Sequence, residues 1–135
     1  MMRKLDQRGI GAMEFCLVVV PLFILIFAIF DLGRYAITMQ SLRTLANAAA
    51  RTWMINDCYV NNVMKKTSPT CAGDPLPSLA EKKAVAPMLG GLSPTLNTTT
   101  GGSAITVTAS VTFNMLMPIW GTTLNSPSAS TTIPF

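Results

Sequence analysis

From Gly9 to Phe30 the chain is apolar apart from one strongly ionisable side chain, Glu14. At about 1.5 Å per residue this window makes a helix roughly 33 Å long, enough for a hydrocarbon core of about 30 Å. The uninterrupted run Phe15–Phe30 is too long for a buried strand and too uniformly apolar for a surface helix, so a membrane-spanning helix is predicted. Between Gly33 and Ile55 the pattern turns amphipathic. Leu42, Leu45, Ala46, Ala49 and Trp53 follow helical spacing, while Arg43, Asn47 and Arg51 fall on other faces. The helix is therefore predicted to continue beyond the membrane. Pro21 removes one backbone hydrogen bond and marks a place for a kink, and Gly33 is a second soft point. The small-residue run Ala46–Ala50 permits close packing, expected against the rest of the chain, with a second subunit as the alternative.

Beyond this helix, Asn61–Pro77 is rich in Asn, Lys, Thr, Ser and Pro and reads as a loop. Ser78-x-x-Glu81 has capping-box spacing and opens a short helix from Leu79 to about Leu89, interrupted by Pro87 and stopped by Gly90-Gly91. A polar loop is predicted over Ser93–Gly102. Ala104–Phe113 alternates apolar and hydroxyl residues, the signature of a strand with one buried face, and Ser128–Pro134 is predicted to return as its antiparallel partner. Pro134 requires an edge or a strand end there. Between them Met115–Trp120 is apolar and is expected in the core of the head, with a membrane-surface contact as the alternative. The fold class is α+β: a long N-terminal transmembrane helix followed by a small head with a short helix and antiparallel β-strands.

Composition agrees with a membrane protein. Charged residues make up only 12% of the 135 residues and hydrophobic ones 50%, against about 25% charged in an average soluble domain. The formal charge of +4 is not one basic patch: Arg3, Lys4 and Arg8 precede the span, and Asp31 is the first charge after it. By the positive-inside rule the N-terminus is expected in the cytoplasm and everything from about Asp31 onward outside. A cleaved secretory signal peptide fits less well, because the apolar run is long and ends in Ile29-Phe30-Asp31 without a small-residue cleavage site. Nucleic-acid binding is not expected.

Histidine is absent, which removes the commonest general base and the imidazole metal ligand together. Asp57, Asp74 and Glu81, the acids beyond the membrane boundary, form no recognisable catalytic pair, so no catalytic residue, metal, cofactor or small-molecule substrate is expected. Of the three cysteines, Cys16 lies inside the span as lipid-facing or packed filler. Cys58 and Cys71 fall in a polar stretch that the topology places in an oxidising compartment, where a disulfide is expected and free thiols are the alternative.

The residues around Glu14 carry a resemblance. Arg8-Gly9-Ile10-Gly11-Ala12-Met13-Glu14-Phe15, a basic leader ending in Gly, then four residues, then Glu and an aromatic, resembles the processing site of type IV prepilins. With Leu17, Pro21, Phe30-Asp31-Leu32-Gly33-Arg34 and Gln40…Ala48-Ala49-Ala50-Arg51, the segment is similar to TadE-like minor pseudopilins of tight-adherence (Tad/Flp) pilus systems. Asp31-Leu32 departs from the Glu-Phe of many relatives but keeps the charge.

The resemblance implies a pilin-like fold and cleavage between Gly9 and Ile10 by a prepilin peptidase in a bacterial inner membrane. It also implies neutralisation of a neighbouring subunit's new N-terminus by Glu14, next to Phe15. The implied organisation is a cytoplasmic leader over 1–9, a helix over 10–56 and an exported head over 57–135. The implied partners are the peptidase, other pilin or pseudopilin subunits, the assembly machinery and the membrane. An uncleaved single-pass protein serving as a structural partner in an envelope or secretion complex is the alternative.

Overall fold

The computed structural model describes residues 8–117, 121 and 124–135, and only the backbone for 8–10. Helix α1 runs without a break over Arg8–Met54, 47 residues, about 70 Å at the usual rise. Neither Pro21 nor Gly33 ends it. A single missing N–H removes one bond from a ladder of this length, and the helix continues on both sides of it. The lower part is lipid-like in character: its most apolar stretch has a mean hydropathy of 2.9 and only 6% of it is buried.

The upper part buries a stripe instead. Asp31, Thr38, Leu42, Leu45, Ala49 and Trp53 are all buried, and their steps of three, four and seven residues keep them on one face. The head packs on that face. Three short helical pieces follow α1: α2 (Asp57–Met64), α3 (Leu79–Val85) and a 3₁₀ turn at Pro87–Leu89. Strands β1 (Thr95–Gly101), β2 (Ala104–Ser110) and β3 (Ser128–Pro134) then form one antiparallel sheet in the order β1-β2-β3.

The sheet's inner face carries Leu96, Ile105, Val107, Ala109 and Ile133, which join Leu42, Leu45, Ala46, Ala49 and Ala50 in one core. Ala46–Ala50 is thus used within the chain, because alanine lets β2 and β3 approach the helix closely. Trp53 closes the far end, its Nε1–H donating to Thr98 Oγ1 at 2.9 Å. Buried indole N–H groups need such a partner.

Several elements differ from the sequence reading. The expected polar loop over Ser93–Gly102 is strand β1. Its threonines are β-branched, and Leu96 and Thr98 turn inward while Thr95, Asn97 and Thr99 face solvent, so an amphipathic strand is hidden in a polar composition. Gly102, at φ 61°, makes the tight hairpin turn into β2. Helix α2 extends into the expected Asn61–Pro77 loop. Asn56 caps it by accepting from the Cys58 N–H at 3.1 Å, and Asn62 donates back to the Cys58 carbonyl at 2.7 Å.

The helix expected over Leu79–Leu89 ends at Val85, and the Pro87–Leu89 segment tightens to a 3₁₀ turn. Ser78 occupies the N-cap position, yet its side chain makes no capping bond. Strand β2 stops at Ser110, three residues short of the expected Phe113. The chain beyond it still bonds in register, with the N–H groups of Val111 and Phe113 donating to the carbonyls of Pro127 and Asn125 at 3.2 and 2.8 Å.

Candidate membrane and assembly surface

The N-terminal half of α1 presents its side chains outward. Phe15, Leu17, Val18, Phe23 and Phe30 are all more than half exposed, which in water would be a large unfavourable apolar surface. The processing-site residues Arg8, Gly9 and Ile10 form the first turn of α1. Arg3 and Lys4 lie outside the described residues. Glu14 is exposed beside Phe15 on this surface, and Gly11 leaves open space next to it, with nothing within 4 Å of where a Cβ would stand. Among the described residues Glu14 has no ion-pair partner.

At the other end of the apolar stretch the acid behaves differently. Asp31 is completely buried. Its Oδ1 accepts from the Leu116 N–H at 3.1 Å and its Oδ2 from the Met117 N–H at 2.8 Å. Arg34, one turn on, stands 3.7 Å from Oδ1. The guanidinium also lies over the Phe113 ring, 5.3 Å from its centroid, and Phe113 meets Tyr35 edge to face at 6.0 Å. A buried carboxylate is tolerated when donors satisfy both oxygens and a cation is near. Sequence reasoning saw Asp31 only as a boundary charge; the signal available was an acid with Arg at i+3 directly after an apolar run.

Met115–Trp120 was expected in the core of the head, and its described part, Met115–Met117, is not fully buried there. Leu116 is 64% exposed and Met115 and Met117 are half-buried, and the backbone N–H groups of Leu116 and Met117 are the ones that bond Asp31. Residues 118–120 lie outside the described residues. Cys58 and Cys71 are joined by a disulfide with Cα atoms 5.7 Å apart, and Cys16 is free and exposed on the span. Among the acids of the head, Asp74 pairs with the buried Lys82, whose Nζ also reaches the Pro94 carbonyl. Among the described residues no three His, Cys, Asp or Glu side chains cluster as metal ligands would.

Residues 9–51 match the family model described as TadE-like protein. Over this segment, which is under half of the chain, the protein is similar to TadE-like proteins. The match begins at Gly9 and ends at Arg51, spanning Glu14, Asp31, Arg34 and most of the stripe on which the head packs. The similarity lies in the long helix α1 and does not extend to the head. Among the described residues one helix is long and apolar enough to cross a membrane, which fits a single-pass membrane protein. Neither the curated proteins nor the solved structures gave a match.

Proposed function

We propose that this TadE-like chain is a minor pseudopilin, cleaved between Gly9 and Ile10 by a prepilin peptidase and acting in assembly of a Tad/Flp-type adhesion pilus. The observation that carries the reading is the exposed N-terminal half of α1, a continuous apolar surface interrupted by Glu14. Such a surface is at home either in lipid or against the same helix of neighbouring subunits, so one helix serves before and after extraction from the membrane. Glu14 gives the second environment a specific contact. Cleavage creates an α-ammonium on Ile10, and burying it beside the carboxylate of a neighbouring copy offsets two desolvation penalties with one ion pair. The basic residues Arg3, Lys4 and Arg8 hold the leader on the cytoplasmic side, which puts the disulfide-bonded head outside the inner membrane.

The test is the N-terminal residue of the membrane-extracted chain, read by intact mass with and without a co-expressed prepilin peptidase. A mature chain starting at Ile10, lost when Gly9 is replaced by Val, is the expected result. A Met1 end that persists beside an active cognate peptidase would overturn it in favour of an uncleaved membrane-anchored structural partner.

A further inference from the structure

The underside of the head meets α1 at a defined depth. Counting from Gly11, the residues up to Phe30 span about 30 Å of helix, the thickness of the hydrocarbon core. Asp31 then sits at its outer boundary. The loop after Phe113 is bonded to this residue through two backbone N–H groups, so its depth is fixed by α1 itself. What it exposes there is apolar: Leu116 is 64% exposed. Met88, on the 3₁₀ turn, is 72% exposed and borders a cleft with Arg34, Ile37 and Phe113, only one to two turns further out. An aqueous surface this close to the headgroups has no reason to carry such residues, whereas the boundary between headgroups and acyl chains favours them. Leu32, the residue after Asp31 on α1, is exposed as well.

We infer that the head makes a second membrane contact, in which Leu116 and Met88 rest in the outer interface of the same bilayer that α1 spans and Asp31 clamps the loop at that level. The lower end of the head is then seated on lipid. Its upper end stands clear: Thr98 is bonded to Trp53, about 33 Å further along α1 than Asp31. Arg34, half exposed, adds a cation at the height of the lipid phosphates. The inference rests on α1 spanning the membrane.

The experiment uses the full chain, oxidised, in vesicles of phosphatidylethanolamine and phosphatidylglycerol containing a lipid with a nitroxide high on its acyl chain. An environment-sensitive fluorophore is attached in separate preparations to native Cys16, to Leu116→Cys or to Thr99→Cys, the last two in a Cys16→Ser background. The expected result is strong quenching at 116, several-fold above that at 99, with Cys16 also quenched. Asp31→Asn, which keeps the shape but weakens the clamp, lowers quenching at 116 and leaves that at Cys16 unchanged. Quenching at 116 no greater than at 99, with Cys16 quenched, would overturn the second contact alone. Full quenching at 116 in Asp31→Asn would overturn the clamp. An unquenched Cys16 would overturn the membrane-spanning reading and this inference with it.

Discussion

Two acids on one helix show how much a residue's meaning depends on its surroundings. Glu14 and Asp31 lie seventeen positions apart in α1, about 26 Å along its axis, and each is a carboxylate with apolar neighbours in the sequence. Asp31 is satisfied within its own chain by two backbone donors and Arg34. Glu14 is exposed toward whatever surrounds the helix. A carboxylate there costs about 2.5 to 3.5 kcal/mol at mid-membrane depth, less nearer the surface, and under the proposed function a neighbouring N-terminus offsets this. Glu14→Ala is accordingly expected to insert and be cleaved like the parent chain but to lose most co-purification with partner pilins. Unchanged recovery of those partners after crosslinking in membranes would count against charge neutralisation.

At the scale of elements, the packing of α1 on the sheet turns on small side chains. Ala46, Ala49 and Ala50 are at most 2% exposed, facing β2 and β3, and the sheet approaches the helix over them. Adding a side chain there forces the layers apart. Ala49→Leu is expected to destabilise the head by about 1 to 3 kcal/mol, the usual effect of overpacking, read as a lowered thermal midpoint with the membrane helix still inserted. Strand β1 shows the opposite lesson for prediction. Its polar composition hid a period of two, since Thr98 occupies an inward position and spends its hydroxyl on Trp53, a partner 45 residues away that no local pattern reveals. Ser78 likewise stands where a cap belongs, but its side chain makes no capping bond, and the nearby side-chain anchor is Lys82 paired with Asp74.

In the whole molecule, β2 descends toward the membrane end of α1 and β3 climbs back. Phe113 packs by Tyr35, Thr131 bonds Asn47 at 2.7 Å, and the Pro134 carbonyl accepts from the Tyr59 hydroxyl at 3.2 Å. Few large side chains hold this head, so its covalent tie matters. The Cys58–Cys71 bridge joins α2 to the segment that leads toward α3, and the Cys71 carbonyl accepts from Thr100 at 2.7 Å. Replacing both cysteines by serine is expected to cost about 3 kcal/mol, the loop-closure entropy of a ring this size. Denaturant unfolding of the head checks it; an unchanged midpoint would mean that packing alone suffices.

By itself the sequence determined the long helix, its membrane-spanning half, its amphipathic continuation, and the β2 and β3 strands. Each follows from a periodicity or an apolar length that physical chemistry reads locally. The similarity of residues 9–51 to TadE-like proteins was legible for the same reason: those residues lie in one contiguous helix. Only the tertiary structure decided that the Thr-rich segment is a strand, that Asp31 is buried, and that Leu116 and Met117 are held to Asp31 by their backbone N–H groups with Leu116 exposed. Those outcomes depend on hydrogen bonds between residues 45 to 86 positions apart, and a donor's distant partner leaves no mark on the pattern of its neighbours.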